Sequence, residues 1–215
     1  MPNNPLVEAS DTFRKAEEAQ KKRQPIFPFL YSGQGYQYCD LLLSQGNYEE
    51  VQRRVNTIFE WRKGSRWNPA YDSQLDIASD NLSLGRAHLL KSRHDPNHQF
   101  AESLTHLNYA VDGLRQAREQ NYLPLGLLAR AEYYRVTGDL IKAQNDLDEA
   151  FTIATRGGMG LHLADCHLEY ARLYLAKGEK DKARENWNIA KEKIETMGYH
   201  RRDKEVQELE EQLAA

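Results

Sequence analysis

Residues 129–154 read ARAEYYRVTGDLIKAQNDLDEAFTIA, and residues 170–190 read YARLYLAKGEKDKARENWNIA. Laid over each other at a shift of forty positions, they share one pattern. Ala131 and Ala171 are small residues on a first helix, and Tyr134 and Tyr174 follow three positions later. A glycine turn comes next, at Gly138 and Gly178, and then a second helix marked by Ala143, Leu147, Ala150 or by Ala183, Trp187, Ala190. A large residue four after a small one, with another small one three further on, lies on a single helical face. The spacing predicts helix–turn–helix units that bury those faces by stacking.

Working outward, the pattern occurs twice more. HQFAES from His98 opens a second helix marked by Ser103, Leu107 and Ala110, and GNYEEV from Gly46 opens a looser one marked by Val51, Val55 and Ile58. The small residues on their first helices are Gly85 and Cys39, followed by His88 and Leu42. The last three units begin forty residues apart and the first interval is 52. Periodicity predicts helices over 6–23, 28–45, 48–62, 71–91, 98–119, 122–137, 140–156, 161–177, 180–196 and 199–213. Residues 28–62, 71–119, 122–156 and 161–196 then form repeats. Helix 6–23, with Ala9, Phe13 and Ala16, is an orphan second helix, and 199–213, with Val206, Leu209 and Leu213 on a narrow stripe, is a capping helix. KGSRWNP (63–69) and SRHDPNH (92–98) are the substantial irregular links, and the whole of 1–215 reads as one domain.

The pattern resembles the tetratricopeptide repeat, whose units carry a small residue and a tyrosine on the first helix, then alanine, an aromatic and alanine on the second. It departs from that family in its missing closing proline and in a forty-residue period where the family has 34. Longer helices of this kind are similar to the arrays attached to bacterial signal-transduction NTPases and related regulators. LYSGQGYQYCDLLLSQGNYEEV, ADCHLEYARLYLAKGEKDKAR and MGYHRRDKEVQELEEQL carry that likeness. The resemblance implies an all-α, right-handed superhelical solenoid and a regulatory, protein-binding role. That role would be exercised in trans, since no nucleotide-binding segment is present.

Chemistry is hard to find. In TRGGMGLHLADCH (155–167) three glycines precede His162, Cys166 and His167. A dinucleotide loop must follow a strand, whereas FTIAT continues a helix, and a Walker loop needs Gly-Lys-Ser/Thr where Gly160 meets Leu161. Glycine after a helix is the common C-cap, so a turn is expected. SGQGYQ (32–37) fails the same test because it lies within a first helix. His162 and Cys166 could share a helical face, but a zinc site needs about four ligands and the other histidines (His88, His94, His98, His106, His200) are scattered. Neither a Gly-x-Ser-x-Gly elbow nor a supported Cys–His pairing occurs. No catalytic residue, metal or cofactor is expected.

Composition agrees with that picture. In 215 residues 40% are hydrophobic and 28% charged, with a formal net charge of −3 that gives no field for nucleic acid. No window reaches the roughly 18 apolar residues of a membrane span, and the N-terminus lacks a signal-peptide core. Cys39 and Cys166 sit in apolar helical patterns and read as reduced, buried thiols of a cytoplasmic protein.

In arrays of this type the first helices line the concave groove. One groove position holds Asp40, Arg86, Glu132 and Arg172, with alternating sign. A second holds Tyr36, Leu82, Leu128 and Leu168, and a third Leu43, Leu89, Arg135 and Leu175. The fourth is mixed: Gly33, Ser79, Leu125 and Asp165. Tyr36, Asp40, Leu82, Arg86, Leu128, Glu132, Arg135, Asp165 and Arg172 are therefore the partner-binding candidates. The charges can grip a peptide or neutralise one another as a ladder, and the ladder is the expected outcome. The expected function is a non-enzymatic scaffold for another protein or peptide; the alternative is an apolar groove pocket that senses a small-molecule effector. Phe13 on the orphan helix predicts a weak homodimer through the N-terminal end.

Overall fold

The computed structural model describes residues 5–68, 72–94 and 100–214. It is all-helical, with no strand among those residues. The helices are α1 (Pro5–Arg23), α2 (Ser32–Ser44), α3 (Tyr48–Lys63), α4 (Gln74–His94), α5 (Ala101–Ala117), α6 (Leu123–Val136), α7 (Leu140–Arg156), α8 (Gly160–Ala176), α9 (Lys180–Met197) and α10 (Asp203–Ala214). A 3₁₀ turn, His200–Arg202, precedes α10, so the capping segment is two elements where one was expected. The chain divides into two compact units, Met1–Ala117 and Arg118–Ala215.

In the first unit α4 packs on α5, α3 and α2, and α1 touches α2. The core around α2–α4 is built from Cys39, Leu42, Leu43, Val51, Val55, Leu84 and Ala87. The α4–α5 approach is closer still: a Cβ on Gly85 would stand 2.8 Å from Leu107, and one on Gly113 2.8 Å from the Cβ of Ala78. Ser103, the small residue of α5, donates its hydroxyl to the Gly85 carbonyl at 2.9 Å, so its polarity is satisfied at no cost in space.

In the second unit α6 packs on α7 and α8, α8 on α7 and α9, and α10 on α9 and α8. Ala164, Leu168, Ala171, Ala183, Trp187, Ala190 and Ile194 form its core together with Val206, Leu209 and Leu213 of α10. Burial of each large apolar side chain contributes about 1.5–3 kcal/mol. The forty-residue repetition extends to local geometry here. The Lys142 ammonium lies 5.3 Å from the Tyr134 ring centre and pairs with Asp139 at 2.8 Å. Lys182 lies 5.4 Å from Tyr174 and pairs with Glu179 at 2.5 Å.

The small and large marks on all four expected second helices are buried. Those on α1 are not: Ala9 and Phe13 are half-buried and Ala16 is exposed. Helix α1 therefore uses only part of the face its spelling suggested: Phe13 stacks on Tyr38, and Glu17 joins it by pairing with Arg54. Three starts also differ. The stretch from Pro28 stays outside α2 because Phe27 and Phe29 anchor on Trp61, at ring-centre distances of 5.3 and 5.8 Å. Helix α4 starts at Gln74 behind Ser73, whose hydroxyl accepts the Asp76 N–H at 3.1 Å while Asp76 reaches back to Ser73. Helix α5 starts at Ala101, and His98 lies outside the described residues.

The glycine run at 155–160 is a turn. Gly158 takes a left-handed backbone, φ 61°, and the Met159 N–H closes onto the Ala154 carbonyl at 2.9 Å.

Candidate partner-binding surface

The expected groove residues fall into two groups, one on each unit. On the first, α2 and α4 lie side by side and bring Asp40 and Arg86 together: Arg86 Nη1 donates to Asp40 Oδ1 at 2.7 Å. Tyr36, Leu43 and Leu89 are buried, and Leu82 keeps only 1% of its surface exposed. The α2–α4 packing therefore spends these apolar groups on the core. Leu82 cannot touch a partner, and Tyr36 offers little more than an edge. Leu168, its counterpart on α8, is buried in the same way.

On the second unit the charges form a connected network. Arg135 Nε on α6 donates to Glu169 Oε1 on α8 at 2.6 Å, and Arg172 Nη1 donates to Glu169 Oε2 at 3.3 Å. Arg172 Nη2 reaches Glu205 Oε2 on α10 at 2.5 Å. Glu205 also accepts from Arg202, and Arg202 Nε donates to Asp165 Oδ1 at 2.8 Å. Tyr199 adds a hydroxyl to Asp165 at 3.4 Å. The candidates Arg135, Asp165 and Arg172 are thus brought together, and Glu132 contributes its negative field to both Arg135 and Arg172. Burial disfavours the Arg172 charge, but Glu205 and Glu169 outweigh it and hold the guanidinium protonated. Burial would likewise raise Glu205, yet Arg202 and Arg172 bring it down to about 2. Within each unit the alternating charges pair with near neighbours. Of the expected alternation Asp40 and Arg86 pair directly, whereas Arg172 is held by Glu169 and Glu205, which were not expected in it.

Glu169, Arg202 and Glu205 were missed in the sequence. Glu169 was legible, since Asp165, Glu169 and Arg172 recur at helical spacing on one face of α8. Arg202 and Glu205 flank the apolar stripe of the expected capping helix and carry no mark of their own in the sequence. Their partners lie 33 and 37 positions upstream, beyond any local pattern.

Two further buried ion clusters in the first unit had no sequence signal. Arg54 on α3 pairs with Glu17 on α1 through both guanidinium nitrogens, one of them at 2.8 Å. Arg62 pairs with Asp72 at 2.8 Å and with Asp80 at 2.6 Å, and Trp67 Nε1 donates to Asp72 at 2.9 Å. Desolvation pushes the Asp80 carboxyl up to about 6 despite Arg62.

The histidine–cysteine segment is accounted for locally. His162 Nε2 lies 3.0 Å from the Asn121 carbonyl, which fixes Nε2 as the protonated nitrogen. His167 Nδ1 faces Asn186 Oδ1 at 2.9 Å. Cys166 and Cys39 are free and buried, and burial pushes the Cys39 thiol up to about 12 and raises Cys166 as well. Among the described residues no group of three or more His, Cys, Asp or Glu side chains is placed to hold a metal ion. No described helix is long and apolar enough to cross a membrane.

None of the known protein-family models, curated proteins or solved structures matches this chain.

Proposed function

We propose that the chain is a non-enzymatic binding protein built of tetratricopeptide-like helix pairs, which recognises a peptide or helix of another protein and serves a regulatory role in signal transduction. The observation that carries this reading is the α6–α8 face of the second unit. Leu128, Glu132, Arg135, Arg172 and Leu175 are all half-buried there, so the face is neither core nor freely solvated. Its charged groups are held by ion pairs in fixed positions, so little ordering cost remains on binding. Ile141 of the same unit, 78% exposed, offers further contact area.

The test is affinity capture from the native host, quantified by mass spectrometry, with the wild type beside Leu128→Glu. A protein retained by the wild type and lost from the variant supports the reading. Identical captured sets, from two equally folded proteins, overturn it for this face.

A second reading, effector sensing, rests on one open cavity of about 360 Å³ in the first unit. It is lined by Asn56, Leu84, His88, Glu102, Thr105 and His106, so it is polar where the sequence suggested an apolar pocket. The His88 and His106 rings stack inside it at 5.8 Å. A thermal-shift screen against metabolites separates the readings, because a tight ligand raises the melting temperature without any protein partner.

A further inference from the structure

The strongest unexplained feature lies in the first unit, whereas the α6–α8 surface belongs to the second. Glu17 of α1 is inserted into a built receptor on α2 and α3. Both its oxygens accept from the Arg54 guanidinium, and Oε1 also accepts the Leu30 backbone N–H at 3.1 Å. Only 9% of the Glu17 side chain and 8% of the Arg54 side chain remain exposed. The guanidinium lies 4.4 Å from the Tyr38 ring centre and 5.0 Å from that of Phe29. Arg53 sits over Phe29 as well, at 4.6 Å, and Glu50 braces both arginines at 2.6 and 2.7 Å. One turn before Glu17, Phe13 stacks on Tyr38 with ring centres 4.8 Å apart and planes 6° from parallel. Residues four apart share a helix face, so α1 presents phenylalanine and glutamate together to a cage of arginine and aromatic rings.

The other hydrogen bonds from α1 are peripheral: Ser10 accepts from Gln45 at 2.8 Å on the surface, and Gln20 donates to the Phe27 carbonyl at 3.2 Å. Leu6 and Val7 are exposed, Ala16 is exposed, and the link Gln24–Ile26 is exposed. From Phe27 onward the chain is pinned by the Phe27 ring against Trp61 and Trp67, at 5.3 and 5.2 Å. The helix can therefore leave its seat without pulling on α2. A buried ion pair is a poor device for stability, because desolvation cancels most of its attraction. It is a good device for selecting one geometry: three donors converge on a single carboxylate, and an isostere without charge leaves at least one of them unpaired.

We propose that the Arg54 cage is a recognition site for a glutamate on an amphipathic helix that carries a phenylalanine one turn earlier, and that α1 is its resident, displaceable occupant. A partner helix with the same Phe-x-x-x-Glu face takes the place of α1. This site stands independently of the α6–α8 reading, and either can fail without the other.

The probe is a fluorescent peptide of residues 5–23, added to the full chain and followed by anisotropy. Glu17→Gln in the chain weakens its own helix and leaves the cage intact. The loss of one charged hydrogen-bonding partner predicts peptide binding tighter than to wild type by about tenfold or more. The same peptide carrying Glu17→Gln or Phe13→Ala should not bind, and a chain with both Glu17→Gln and Arg54→Gln should not bind the native peptide. Phe13→Ala in the chain provides a second way to weaken α1 if the first variant folds poorly. Hydrogen exchange supplies the control: in either chain variant residues 5–23 should lose protection while α2 to α5 keep theirs. Protection of 5–23 at the wild-type level in both variants, or peptide binding indifferent to Glu17, overturns the proposal.

Discussion

The two terminal helices are attached in contrasting ways. Helix α10 is bolted on twice, first by Val206, Leu209 and Leu213 in the core of the second unit and then by Glu205, and Arg202 of the preceding turn, in the ion network. Even its backbone is engaged, since Trp187 Nε1 donates to the Val206 carbonyl at 2.9 Å and Arg184 to the Leu213 carbonyl at 2.9 Å. The attachment of helix α1 centres on a ring stack and a buried ion pair, with exposed hydrogen bonds such as Gln45 to Ser10 beside them. Apolar burial is additive and tolerant of small shifts, whereas a bidentate pair is satisfied in one pose and otherwise lost. The difference teaches that one end is structural and the other conditional.

The largest expected effect falls on α10. Leu209→Ala removes a side chain that is 1% exposed and should destabilise the second unit by about 2–5 kcal/mol, read as a lower denaturation midpoint. The same change at Leu6, half-exposed on α1, should stay within about 0.5 kcal/mol. Equal losses at the two sites would erase the contrast.

Acid sharpens it. The Glu205 carboxyl is depressed from 4.5 to about 2, so its contribution is complete above pH 4.5 and is lost as pH falls toward 2. On the order of 2 kcal/mol should disappear over that window, with Trp187 fluorescence reporting release of α10. In the first unit Asp80 does the opposite. Its carboxyl rises from 3.8 to about 6, so the folded form holds the proton more tightly, and stability rises as pH falls from 6 toward 3.8. Asp80→Asn should flatten that rise in a series of urea melts, and an unchanged slope would assign the effect elsewhere.

The smallest effect concerns Asp40 and Arg86, partly exposed partners worth about 0–1 kcal/mol. Arg86→Glu should destabilise modestly and Asp40→Arg on top of it should restore part of the loss. Strictly additive losses would mean that the pair does not interact.

Helices were legible wherever apolar spacing was strict. The forty-residue offset located the second-helix marks from Ser103 to Ala190, and the left-handed turn fell at Gly158 within the stretch expected to turn. What escaped was long-range polar pairing. Glu17 and Arg54 are 37 positions apart, and nothing in either local sequence announces the other. Ser73–Asp76 was legible as a capping pair but was passed over, which set the start of α4 three residues early. Among the apolar groove candidates Leu128 stays half-buried, whereas close packing of α2 on α4 consumes Tyr36 and Leu82.

The glycine turns of the second unit have a consequence for how such a chain can change length. Gly138 and Gly178 take left-handed backbones with φ of 89° and 77°, and Gly158 and Gly198 follow the same forty-residue beat at 61° and 64°. Each turn closes its hydrogen bonds within a few residues of itself, as in Met159 to Ala154 and Tyr199 to Ile194, both at 2.9 Å. A segment from one turn to its counterpart therefore begins and ends in the same backbone state. Copying residues 120–159 in tandem would join like to like, and the new helix pair would inherit a neighbour of the kind it already fits. Genes encoding such chains can thus lengthen in whole modules, whereas a gain of one or two residues within a helix rotates every buried face away from its mate.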